Sequence, residues 1–182
     1  GTLVVSVLAG KTVANLSAAL PEARAVVRAM PNLPASIGKG ATGAYANAAV
    51  TDAQRAVADA LLRASGLVEW VADESLIDAV TGLSGSGPAY VFALVEAMAE
   101  AGVVAGLPDD LALRLARATV VGAGALLAES DLPAETLRAN VTSPGGTTAA
   151  GLAVLQREEN GLSDLVRETV AAAKRRAQEL SG

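Results

Sequence analysis

One run of residues carries most of the chemistry this sequence offers: Thr142-Ser143-Pro144-Gly145-Gly146-Thr147-Thr148. Glycines let a backbone come close to a ligand. A helix predicted to begin at Thr147 or Thr148 supplies N–H groups with no partner inside the helix, together with the positive end of a dipole, and both suit a carboxylate. The threonine hydroxyls can donate or accept. Such a loop makes a compact site for an amino-acid-like molecule without a cationic side chain. The same residues also suit an ordinary helix cap after a Pro-Gly turn, and the local pattern leaves both readings open.

Composition narrows the chemistry further. The chain of 182 residues has no cysteine and no histidine. Disulfides, thiolate metal sites and nucleophile pairs built on histidine are therefore excluded, and a zinc site is not expected. Proton chemistry is left to carboxylates, lysine, tyrosine, hydroxyls and water. A net charge of −5 argues against nucleic acid as a main partner. No signal peptide is visible, and no uninterrupted apolar run looks long enough to span a bilayer. Hydrophobic residues make up 52% of the chain but aromatics only 2%, so the core must be built from Ala, Val and Leu.

The elements that would position the loop fall into two halves. In the first, Leu3–Gly10 reads as a buried strand, and the chain enters it directly from Gly1, which predicts further material upstream. Thr12 caps a helix to Leu20, broken by Pro21. Ala25–Met30 is a second strand, and the PNLP that follows should run extended. Gly38–Gly43 formally matches G-x-G-x-x-G, but a proline-containing loop precedes it and a strand candidate follows, so it reads as a glycine-rich connection. Thr51–Ser65 is a helix capped by Thr51 or Asp52, with Val57, Leu61 and Leu62 on one face. Leu67–Ala72 is a last strand. The order strand–helix–strand–strand–helix–strand suggests part of a layered α/β domain.

The second half is helical. Leu76–Tyr90, LIDAVTGLSGSGPAY, reads as a helix end, a glycine-serine corner at Ser84–Gly87 that exposes amides, and a new helix opening on Pro88. The helix Pro88–Val104 is apolar nearly all round, as expected for a large core or a subunit interface. Asp109 should cap a helix 110–129 with Leu111, Leu115, Ala118, Gly122 and Leu126 on one face. Shorter helices are predicted from Pro133 to Val141 and from Thr147 or Thr148 to Glu159. A last one, capped by Ser163, has Leu165, Val166, Val170 and Ala173 on one face and places Lys174, Arg175 and Arg176 at its basic end.

Four stretches together resemble pyrroline-5-carboxylate reductase: Val26–Pro34 (VVRAMPNLP), Leu76–Tyr90, Gly106–Pro108 (GLP) and Asn140–Leu155 (NVTSPGGTTAAGLAVL). The resemblance runs essentially from Gly1 to Leu180. It implies an α/β plus all-α fold: residues 1–72 as the C-terminal part of a Rossmann-type nucleotide-binding domain, and 73–182 as a helical dimerisation and substrate-binding domain that interlocks two subunits. It also implies a cytoplasmic oxidoreductase of proline synthesis that uses NADPH or NADH to reduce a cyclic imine bearing a carboxylate. By resemblance Thr148 hydrogen-bonds the ring nitrogen and is the catalytic residue. Amides of Gly146, Thr147 and Thr148 hold the carboxylate, and Ser143 and Gly145 shape the loop. Ala9, Gly10, Pro31, Asn32, Asn140 and Val141 border the cofactor. No dinucleotide-binding glycine motif stands near Gly1, so the pyrophosphate and adenosine sites are expected to be absent and the chain inactive by itself. Two classes of function stay open: a reductase, or a non-catalytic helical dimerisation module. A β-hydroxyacid dehydrogenase ranks below both, because it needs a lysine near 76–107 and the lysines here are Lys11, Lys39 and Lys174.

Overall fold

A computed structural model describes residues 1–181. Packing separates two units: Gly1–Pro88 with residues from Arg167 onward, and Ala89–Val166.

The first unit is built on a four-stranded sheet in the order β1 (Leu3–Ser6), β2 (Ala25–Met30), β3 (Gly40–Ala46), β4 (Gly66–Trp70). Helix α1 (Val13–Ala19) links β1 to β2 and α2 (Asp52–Arg63) links β3 to β4. Those two pairs are parallel, while β2 and β3 run antiparallel. Both helices start as the sequence predicts. Thr12 accepts from the Asn15 amide and Thr51 from the Gln54 amide, and each third helical residue returns a bond to the cap.

Alternation along β2 sorts the layers. Val27 and Ala29 face one way, into a core with Ala44, Ala58, Leu62 and Val68. Arg28 and Met30 face the other way, toward α3 (Leu76–Val80) and the turn after it. Arg28 is nearly fully buried, and its guanidinium meets Glu74 at 3.1 Å and Asp78 at 3.4 Å. Glu74 also accepts from the Val13 N–H at 2.7 Å, tying the start of α1 to this pair.

The stretch read as a glycine-serine corner is helical. α3 runs on through a π-helical turn, Thr81–Gly85, in which the Ser86 N–H donates to the Thr81 carbonyl at 2.9 Å. Val80, Thr81 and Ser86 all keep right-handed helical dihedrals. Gly82 and Gly85 serve packing. A Cβ on Gly82 would lie 2.8 Å from the Val170 carbonyl oxygen, and one on Gly85 would lie 3.0 Å from Met30 Cε. The next helix, α4, spans Gly87–Val104 with Pro88 in its first turn, where a missing N–H is tolerated.

Several other expectations are corrected. β1 ends at Ser6, is half-buried, and lies at one edge of the sheet, so Val7 and Leu8 are exposed. Leu33–Ile37 forms a 3-10 helix where an extended path was expected, with Pro34 accommodated in its first turn. Gly40–Gly43 is part of β3, and the connection shrinks to Gly38 and Lys39. On α2 the buried face is Ala58 and Leu62, whereas Val57 and Leu61 are exposed.

In the second unit, α5 (Asp109–Glu129), α6 (Ala134–Asn140) and α7 (Thr147–Leu155) follow α4. Pro108, not Asp109, stands at the cap of α5, and its buried residues are Ala112 and Ala116 rather than the leucine register. α7 stops at Leu155, short of Glu159. α8 runs Leu162–Ser181, so Ser163 lies inside it, Leu165 and Val166 are exposed, and the basic triplet is not in its last turn. Neither α4 nor α7 has a buried residue in one chain. By length and composition, the stretches Leu76–Val104 and Asp109–Glu129 are long and apolar enough to cross a membrane, which the sequence reading did not expect.

Candidate active site

The loop that begins at Thr142 is shaped by backbone. α6 ends at Asn140, and Val141 follows as an exposed cap residue. The Thr142 N–H donates to the Ala139 carbonyl at 3.0 Å and its hydroxyl to the Arg138 carbonyl at 2.6 Å, which closes the helix end. The chain then reverses over Ser143–Gly146, where the Gly146 N–H donates to the Ser143 carbonyl at 3.0 Å. Pro144 and then Gly145 occupy the middle of that turn, and Gly145 has φ +71°. This is the residue order a type II turn demands, since a side chain at the third position would be strained. A Cβ on Gly146 would collide with Ser143 Oγ, so the second glycine is needed for a different reason.

Gly146 is the N-cap of α7, with φ −80° and ψ 174°, and no side chain caps it. The first helical bond runs from the Ala150 N–H to the Gly146 carbonyl at 3.1 Å. In a helix so started, the amides of Thr147, Thr148 and Ala149 precede the first intrahelical donor, the Ala150 N–H. The sequence reading gave the carboxylate to Gly146, Thr147 and Thr148. The structure spends the Gly146 amide on the turn and moves the group one residue on, to Ala149. That shift is invisible in sequence because it depends on which amide closes the reversal. Ser143, Gly145, Thr147 and Thr148 are exposed, and Gly146 is half-buried. A shallow groove of about 460 Å³ between α6 and α7 borders the loop, lined in part by Arg138, Thr142, Leu152 and Gln156.

The other expected site residues lie in the first unit, apart from Asn140 and Val141, which lead into the loop itself. Ala9 and Gly10 follow β1, and Pro31 and Asn32 follow β2. Because these strands are parallel neighbours, both loops leave the same end of the sheet, the carboxyl end at which α/β proteins bind ligands. Ala9 is exposed, while Gly10 (φ +69°) is half-buried and so close to α8 that a Cβ would lie 3.0 Å from the Leu180 carbonyl oxygen. In the formal glycine match, a Cβ on Gly40 would press on Ala35 and Ser65 and one on Gly43 on Val80, so these two strand glycines serve close packing.

Titratable groups with displaced equilibria lie elsewhere. Asp59 is held below the usual carboxylate range by hydrogen bonds from Arg63 and Trp70, and Asp73 by hydrogen bonds from Ser75. Among the described residues no cluster of acidic groups is arranged to hold a metal ion. The sequence reading overlooked Arg28, although a cation inside the apolar run AVVRAM is the signal for a buried pair.

Comparison with known proteins bears on both units. The family described as "Pyrroline-5-carboxylate reductase dimerisation" matches residues 74–180. The pyrroline-5-carboxylate reductase of Synechocystis sp. is 48% identical over 178 residues, covering 98% of this chain and 65% of the relative. The structure of a pyrroline-5-carboxylate reductase from Coxiella burnetii superposes with a TM-score of 0.92 at 42% identity, over 99% of this chain and 66% of that one. That of Plasmodium falciparum pyrroline carboxylate reductase with NADP bound gives 0.84 at 29% identity, over 100% and 72%. The chain thus spans a little under two thirds of the length of the curated relative.

Proposed function

The chain belongs to the pyrroline-5-carboxylate reductase family, and from that premise we propose that it serves the NAD(P)H-dependent reduction of 1-pyrroline-5-carboxylate to L-proline. In this reading residues 1–72 contribute to nucleotide binding and 73–182 to dimerisation and substrate binding. The partners are a small molecule and a second copy of the chain, with no nucleic acid or membrane, in the cytoplasm.

The observation that carries the proposal is the start of α7. A reversal closed by Gly146 presents the amides of Thr147, Thr148 and Ala149 in one turn, beside two hydroxyls. Those amides suit the substrate carboxylate, which the helix dipole further favours. The Thr148 hydroxyl is assigned the ring nitrogen, where it steadies the protonated imine and follows the nitrogen as it becomes an amine. Ser143 holds the loop shape by covering Gly146. Ala9, Gly10, Pro31, Asn32, Asn140 and Val141 are assigned to the cofactor. When bound, NAD(P)H supplies the hydride. The chain's own contribution is to fix the orientation of the imine carbon, which can account for much of a rate enhancement.

The test is oxidation of NADPH by the chain in the presence of pyrroline-5-carboxylate, compared with the ring lacking the carboxylate, 1-pyrroline. Turnover that falls by about 10–100-fold without the carboxylate supports the assignment of the amides, as expected for lost hydrogen bonds to a charged group. Equal rates on both rings would remove it. A dimer with no turnover and no NADPH binding would leave the second reading, a non-catalytic dimerisation module, which the uncovered apolar surface of α4 favours.

A further inference from the structure

Asn32 stands at the N-cap of the 3-10 helix Leu33–Ile37, where an asparagine side chain ordinarily turns back to accept from a helix amide. It makes no such bond. Its Oδ1 accepts from the Ala41 N–H at 2.9 Å, and its Nδ2 donates to the Ser84 carbonyl at 3.0 Å. The two partners fix the orientation of the amide, since one can only donate and the other only accept. In a continuous α-helix the Ser84 carbonyl would accept from the N–H four residues later. That residue is Pro88, which has none. The π turn adds its own displacement, with the Ser86 N–H passing to Thr81, and such turns are frequent at functional sites. The same turn is seated on the end of β2 through Gly85 and Met30.

We infer that Asn32 is a positioning residue whose side chain supplies Ser84 with the hydrogen bond that Pro88 cannot give, and so latches the segment Met30–Asn32 onto the π turn. The Asn32 side chain is thereby committed, and of this residue only the backbone is left to border a cofactor. The cofactor clause rests on the function proposed above; the latch itself does not.

The experiment is a double-mutant cycle of Asn32→Ala and Pro88→Ala on the whole chain, read by amide hydrogen exchange and by NADPH titration. Asn32→Ala should speed exchange of the amides in 81–86 about tenfold, the cost of one unsatisfied carbonyl. Pro88→Ala returns an N–H to the helix, and in that background the effect of Asn32→Ala should shrink to under about threefold, because the two changes act on one carbonyl. Asn32→Asp keeps the acceptor for Ala41 and loses the donor, so it should loosen 81–86 while Ala41 stays protected. It also carries the comparison if Asn32→Ala does not fold. Equal acceleration in both backgrounds, or none, overturns the latch. Where NADPH binds, affinity weakened by Asn32→Ala and restored by Pro88→Ala supports positioning, and weakening that is not restored overturns it in favour of direct contact. A wild-type chain that binds no NADPH counts against the proposed function only, and the exchange cycle still decides the latch.

Discussion

The two units solve burial in opposite ways. The sheet unit encloses a core of its own: Val26, Val27, Val68 and Ile77 are almost entirely removed from solvent within one chain. The helical unit does not. Its buried apolar residues among those described are Ala112 and Ala116, while Val91, Phe92, Leu94, Leu113, Leu115 and Val121 remain substantially exposed. Single alanines and widely exposed leucines are what remains when the other half of a core comes from elsewhere. The sheet unit is a folding unit, and the helical unit reads as half of one.

That contrast can be broken most directly on α4. Phe92→Asp places a charge on its exposed apolar surface, and light scattering should show the dimer replaced by single chains at micromolar concentration, with affinity reduced by about 30-fold or more. An unchanged mass would show that α4 is not the pairing surface. The next largest effect belongs to the sheet unit. Arg28→Met leaves the Glu74 and Asp78 carboxylates without their shared cation, and urea unfolding should report a loss of about 3–5 kcal/mol with no change in assembly. A loss under about 1 kcal/mol would mean the pair is hydrated and unimportant. Thr148→Ala tests the helical unit as a site rather than a scaffold. In an active protein, turnover should fall by about 10–100-fold with little change in NADPH affinity, the loss expected for one hydrogen bond to a charged group. Kinetics that do not change would remove Thr148 from its role.

The smallest effect concerns the sheet surface. Asp59 titrates below the usual carboxylate range because Arg63 and Trp70 donate to it. A folded value below the unfolded one adds stability at pH above about 4, and that contribution is lost as pH falls through the folded value. Asp59→Asn should therefore flatten the dependence of the urea midpoint on pH below about 4. A dependence as steep as wild type would assign the acid sensitivity to another carboxylate, with Asp73 the next to examine.

Much of the architecture was legible, and the failures share a cause. Thr12 and Thr51 were readable as caps because capping is local chemistry, decided within four residues. The succession of strands and helices along the first half followed from punctuation by Gly and Pro in the same way. The corner read at Ser84–Gly87 is helical because glycines in and before it answer a distant demand: Gly82 makes room for the backbone of α8, and Gly85 for Met30. Val57 and Leu61 were grouped on one face with Leu62 because they are the large apolar residues of the helix, yet the residues buried on α2 are Ala58 and Leu62. At the candidate site, the composition of the loop signalled a turn before a helix start, but not which amide would be spent on closing the turn. A preference expressed within one turn could be read, and a choice made by a partner many residues away could not.

The path of α8 has a consequence for how the molecule is made. Its residues from Arg167 onward pack with the sheet unit, and Gly10 accepts the backbone of Leu180 against it. The sheet unit is therefore written in two instalments, separated by the whole of 89–166. During synthesis these strands emerge before α8, and the surface around Gly10 and Gly82 stays bare until α8 leaves the ribosome. Closing so long a loop carries an entropy cost that grows only slowly with length, so the delay lies in time rather than in stability. The helical segment has that interval in which to find its own partner, and assembly can begin before the first unit is finished.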